Sequence, residues 1–136
     1  MIVVVTGSRS IADKAAVGRI IEEAVTGPVG GWYTLADVVE LWHGDCPKGV
    51  DRLAAAWAEE HGIKVVPWPV TEAEWAASRY LAGKRRNYRM VKAASKDPRH
   101  AIVVGVWDWV SGGTSHAIAC ASACGLPVYT GALRAG

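Results

Sequence analysis

Two short glycine-containing stretches have the residue types to hold a phosphate. Ser111-Gly112-Gly113-Thr114 joins an apolar run, Ala101 to Val106, to an Ala-rich helical run, Ser115 to Ala123. A strand that passes through glycines straight into a helix presents unpaired backbone N–H groups and the positive end of the helix dipole to an anion. Gly112 and Gly113 can take positive φ and let a ligand approach the backbone, while Thr114 or Ser115 can cap the helix or donate a hydroxyl. Thr6-Gly7-Ser8-Arg9 closes the β-branched run Ile2 to Val5 in the same way. There the guanidinium of Arg9 could clamp a phosphate through two parallel hydrogen bonds.

The elements around these turns follow from hydrophobic period. Ile2 to Val5 reads as a strand buried on both faces, and Ala12 to Val25 as a helix ended by Gly27-Pro28. Val38 to Trp42 reads as a second strand stopping at His43-Gly44, and Val50 to Glu60 as a second helix. Ile63 to Val66 forms a third strand, stopped by Pro67-Trp68-Pro69. A helix starts at Thr71-Glu72-Ala73-Glu74, Gly83 breaks the run, and a basic helix follows from about Lys84 to Ser95. His100 to Val106 and Leu126 to Thr130 complete five strands. Strands alternating with helices argue for one α/β domain over 1–136. It is expected to be a Rossmann-like, doubly wound, mainly parallel five-stranded sheet of order 3-2-1-4-5, with helices on both faces. In that order the chain switches direction between strands one and four, and ligands of open α/β sheets bind in that crevice. The Gly7 to Arg9 turn and the Ser111 to Thr114 turn then become one site.

Other candidates gather near it. Gly44 and Asp51 belong to a turn-rich stretch, Gly44 to Gly49, that enters the second helix. Asp51 suits the helix dipole there, and it either orients the loop or accepts from ribose hydroxyls, the structural role being favoured. Arg86 and Asn87 open the basic helix and could reach a phosphate or base edge from above. The wider run Lys84, Arg85, Arg89, Lys92 and Lys96 is the one feature that suggests nucleic acid. Its helix holds a single aromatic, Tyr88, and the net charge is only +2, so nucleic acid is not the expected partner. Trp107 and Trp109 flank Asp108 just before the glycine turn, and one of them could stack a nucleobase.

Composition bounds the class. A chain with 51% hydrophobic and 21% charged residues is globular, and no apolar run is long enough to span a bilayer. The start of the chain reads as a strand and not as a secretion leader, so a cytoplasmic location is expected, with no membrane partner. Three cysteines, Cys46, Cys120 and Cys124, suggest reduced thiols. No Cys-x-x-Cys pair joins them to His43 or His116, so no metal or other cofactor is expected. The absence of Phe and Gln beside abundant Ala, Gly and Trp suggests a GC-rich bacterial or bacteriophage genome. Self-association is left open.

Four blocks in order resemble the YspA-like family of the SLOG superfamily: Thr6-Gly7-Ser8-Arg9, His43-Gly44-Asp45-Cys46-Pro47-Lys48-Gly49-Val50-Asp51-Arg52-Leu53-Ala54, Ala82-Gly83-Lys84-Arg85-Arg86-Asn87, and Ser111-Gly112-Gly113-Thr114. The resemblance implies a Rossmann-like fold and a nucleotide-type ligand, a small nucleotide or nucleotide-sugar derivative that the protein senses, carries or sequesters. That superfamily also includes the LOG phosphoribohydrolases, which cleave an N-glycosidic bond of nucleoside 5'-monophosphates, and the single-strand DNA-binding protein DprA. Both remain alternatives. LOG enzymes carry Gly-Thr-x-x-Glu where this chain has Ala117, so no carboxylate stands there and binding without catalysis is the expectation. Lys84-Arg85 also replaces the proline that the family more often has before Arg-Asn.

Overall fold

The structure is a computed structural model that describes residues 1–110 and 112–134. Five strands, β1 (Ile2–Gly7), β2 (Glu40–His43), β3 (Lys64–Pro67), β4 (Ala101–Trp107) and β5 (Val128–Ala132), form one sheet of order β3-β2-β1-β4-β5. Every pairing is parallel, with Ile2 beside Glu40 on one side and Ala101 on the other. The expected order holds, and the sheet is wholly parallel.

Alternation along the central strands feeds two cores. Val3 and Val5 with Ile102 and Val104 face Val17, Ile20 and Ile21 of α1 (Lys14–Thr26) and Ala54 and Trp57 of α2 (Val50–Glu60). Ile2 and Val4 with Val103 face Met90, Val91 and Ala94 of α4 (Ala82–Lys96) and Cys120 and Ala121 of α5 (Gly112–Ala123). The short α3 (Glu72–Ala77) packs against α4. Helices thus cover both faces, as parallel strands buried on both sides require. No helix among the described residues is long and apolar enough to cross a membrane.

Several boundaries differ from the sequence reading for local reasons. β2 begins at Glu40 because a 3-10 turn, Leu35–Asp37, precedes it. There Thr34 and Asp37 exchange capping hydrogen bonds, and Val39 N donates to Met1 O. Asp13 caps α1 by accepting from Ala16 N, so that helix starts at Lys14. Gly83 does not break the chain. The break lies at Ser78, an extended residue after the α3 capping box of Thr71 and Glu74, and Gly83 sits inside the first turn of α4.

Candidate functional site

The C-terminal end of β1, the loop after β2 and the first turns of α4 and α5 line a cavity of about 640 Å³ at the point where the chain leaves β1 for one face and β4 for the other. Its floor is the end of β1. Thr6, only 9% exposed, lines it, and its hydroxyl has no hydrogen-bond partner among the described residues. Gly7 packs so closely on Val50 that any side chain there would collide with it.

Ser8 is a brace. It is buried, its N–H donates to Val106 O (3.1 Å), its carbonyl accepts from Val50 N (3.2 Å) and its Oγ accepts from Asp108 N (3.0 Å). Ser10 Oγ donates to Asp108 Oδ2 (2.8 Å), so β4 holds the turn from both ends. Arg9, between them, is exposed at the cavity and has no hydrogen bond or ion pair among the described residues. Its backbone lies against Gly49, whose φ of 82° leaves no room for a Cβ.

The β2–α2 loop is ordered by its own polar groups. His43 Nδ1 accepts from Asp45 N (2.9 Å), which fixes that nitrogen as the unprotonated one, and burial holds the imidazole below its ordinary value. Asp51, 5% exposed, accepts from Cys46 N (3.1 Å) and stands beside the Cys46 thiol. Burial, followed by that carboxylate, pushes the thiol up, so Cys46 stays protonated at neutral pH. Asp51 orients the loop and also lines the cavity, as do Gly44, Cys46 and the exposed Lys48.

Arg86 is the chief positive group, and it is buried at 8% exposure. Its Nε donates to Asn87 Oδ1 (2.9 Å) and its Nη1 to the carbonyls of Gly44 and Trp68, while Nη2 has no hydrogen bond among the described residues. Asn87 Nδ2 reaches Gly113 O at 3.5 Å, which links α4 to α5 across the cavity. Neither residue is a solvated helix start, and both line the cavity with Tyr80 and Lys84.

Gly112 and Gly113 open α5 in helical conformation and not as a positive-φ turn, so their value lies in lacking a side chain. Nothing lies within 4 Å of where a Cβ at Gly113 would stand. Thr114 is 3% exposed and lines the cavity, and its hydroxyl has no hydrogen-bond partner among the described residues. Gly112 and Ser115, both exposed, are not among the lining residues, and Ser111 lies outside the described residues. Ala117 is buried away from the cavity.

The basic run is divided. Lys84 lines the cavity, whereas Arg89 is taken up by Glu74 (2.9 Å), the Pro69 carbonyl and the Trp68 ring, and Lys92 lies over Tyr88. His116 and Cys120 meet in a separate groove between α4 and α5, far from metal-ligand grouping with His43 and Cys46. Among the described residues no cluster of His, Cys, Asp or Glu could hold a metal ion.

Sequence reasoning missed Thr6, Cys46, Lys48, Tyr80 and Lys84 as lining residues. Thr6 had a usable signal, since it is the last strand residue before the glycine of the first turn. Tyr80 had none, because its position depends on the break before α4.

The chain belongs to the YAcAr family, the YspA, cpYpsA-related SLOG family, whose model matches residues 1–77. That stretch runs from β1 to α3 and holds the Gly7 to Arg9 turn and the Gly44 to Asp51 loop, while Arg86, Asn87 and Thr114 lie beyond it. No curated protein and no solved structure matches the chain.

Proposed function

We propose that the protein binds a small nucleotide or nucleotide-sugar derivative, with its phosphate in the switch-point cavity and without cleaving it. One observation carries the reading: three buried side chains line the cavity with donor capacity that the protein itself does not use. They are the Nη2 of Arg86 and the hydroxyls of Thr6 and Thr114. These atoms open onto the cavity and are not among the fully buried unpartnered side-chain atoms, so they stay available to an acceptor that enters it. A phosphate supplies several, and the N-terminal turns of α4 and α5 and the exposed Arg9, Lys48 and Lys84 add positive potential.

The acids support binding without hydrolysis. Asp51 is the one carboxylate among the described lining residues, and it is engaged by the backbone N–H of Cys46. Ala117 supplies nothing where the phosphoribohydrolases carry glutamate. The test is a thermal-shift panel of AMP, ADP, ADP-ribose, NAD and cyclic dinucleotides. A ligand at about 100 times its Kd adds roughly 2.7 kcal/mol, a shift of several degrees in a domain of this size. A flat panel would overturn the reading, and multiple-turnover release of free base from AMP would replace it with hydrolysis.

A further inference from the structure

We propose that the groove between α4 and α5 is a second binding site, for a small aromatic carboxylate, and that it is coupled to the switch-point cavity through Lys84. Leu81, Lys84, Arg85 and Tyr88 recur at helical spacing, so they form one stripe along the start of α4. His116 and Cys120, four residues apart on α5, complete the lining. The groove holds about 320 Å³, at the small end of the range for ligand pockets. A protein partner ordinarily covers about 20–30 residues on each side, far more than this groove presents. Its occupant is therefore a small molecule.

The walls are apolar and uncharged. Leu81 and the Tyr88 ring, 49% exposed, supply the α4 side. On the α5 side both ring nitrogens of His116 lie within 3.8 Å of Cys120 Sγ. Burial, followed by the charge of Lys84, holds His116 below its ordinary value, and burial chiefly pushes the Cys120 thiol up, so both are neutral at neutral pH.

The charges at the groove are all positive. Lys84 and Arg85 are exposed there, and the Arg85 guanidinium has no hydrogen bond or ion pair among the described residues. Neither α4 nor α5 contains an Asp or Glu. An apolar slot with two cations and no carboxylate is complementary to a flat apolar body that carries one negative group. The ring packs on Leu81 and Tyr88, and the carboxylate takes Arg85 through two parallel hydrogen bonds. Lys84 lines the switch-point cavity as well as this groove. One ammonium cannot serve two anions fully, so each ligand weakens the other by the same factor. That coupling alone rests on the nucleotide reading above.

Calorimetry with 2-naphthoate and its uncharged analogue 2-naphthalenemethanol tests the groove on the whole chain at constant ionic strength. Naphthoate is expected to bind at least about tenfold tighter than the alcohol, as one charge-assisted hydrogen bond gives. Arg85→Gln and Tyr88→Ser alter exposed side chains that line the groove and not the switch-point cavity. Each should weaken naphthoate by about tenfold while circular dichroism and AMP affinity stay as in wild type. Absence of naphthoate binding, equal affinity for the alcohol, or wild-type affinity in both variants overturns the site. At saturating naphthoate, AMP should bind about fivefold more weakly, and Lys84→Gln should abolish that difference. Unchanged AMP affinity overturns the coupling. Absence of any AMP binding overturns the nucleotide reading instead, and the naphthoate measurements still decide the groove.

Discussion

The guanidinium of Arg86 lies directly over the Cα of Gly44, so that a Cβ built on Gly44 would stand 2.6 Å from Cζ. Gly44 is therefore needed because a planar cation must approach the backbone and donate to its carbonyl, not because of a special φ. Gly44→Ala is expected to push Arg86 out of place and leave the Gly44 and Trp68 carbonyls without their donor. Loss of such buried hydrogen bonds costs on the order of 1–3 kcal/mol, and nucleotide affinity should fall by tenfold or more. Urea denaturation and calorimetry check both, and wild-type affinity in a destabilised protein would remove Arg86 from the site.

The fold was legible because its signals are local and strong. Ile2 to Val5 and Ala101 to Val106 are continuous β-branched or small apolar runs, and strand order follows from crossover handedness. The cavity lining was legible where turn chemistry marks it, at Gly7 to Arg9, Gly44, Asp51 and Gly113 to Thr114, and at Arg86 and Asn87 where the basic helix opens. Arg86 and Asn87 stand out in the sequence as the opening residues of the basic helix, but the burial of Arg86 does not. Its burial depends on Gly44 and Trp68, 42 and 18 residues away, and no local pattern encodes such contacts. Gly83 misled for the converse reason. A glycine in a first helical turn costs little there, and the real break needed the capping box at Thr71 to end α3.

His43 gives the protein a defined pH response. Burial depresses its pKa below the ordinary 6.5, reinforced by Arg52 and Arg86 and opposed by Asp51 and Asp45. The unfolded chain then binds the proton more readily. Stability is full above about pH 6.5 and is lost as pH falls from there toward the folded value. His116, also depressed by burial and by Lys84, adds the same sign. The urea midpoint should fall between about pH 7.5 and 5.5, above the range where carboxylates titrate. His43→Asn keeps an acceptor for Asp45 N and should flatten the slope, whereas an unchanged slope would assign the effect to His116.

Trp68 carries a buried indole N–H without a hydrogen-bond partner, while its ring packs on Trp42 at 5.0 Å and under Arg89. Trp68→Phe removes the orphan donor, worth roughly 1–3 kcal/mol, and gives up part of the aromatic packing, worth about 0.5–1.5 kcal/mol. The two nearly cancel, so stability should stay within about 1 kcal/mol of wild type or rise. A loss above about 2 kcal/mol in urea denaturation would mean that the N–H is satisfied by water.

Arg9→Ala and Gly113→Val should both weaken nucleotide binding while the domain stays folded, and for different reasons. Arg9 makes no contact that the fold needs beyond its backbone, since its guanidinium is exposed and without a partner among the described residues. Removing it deletes one charge-assisted hydrogen bond to phosphate, roughly 1.5–3 kcal/mol or about ten- to a hundredfold in affinity. Because the arginine is open to solvent, added salt should shrink the difference between mutant and wild type. Gly113 has open space around its Cβ position, so valine fits the protein, and because glycine is the poorer helix former the change costs α5 nothing in helix propensity. Its branched side chain would instead occupy the volume where phosphate meets the first turn of α5, a steric loss that salt should not change. Calorimetry of both variants at low and moderate salt separates the two effects. Unchanged affinity in both, with circular dichroism showing a folded domain, would move the binding site away from the ends of β1 and β4.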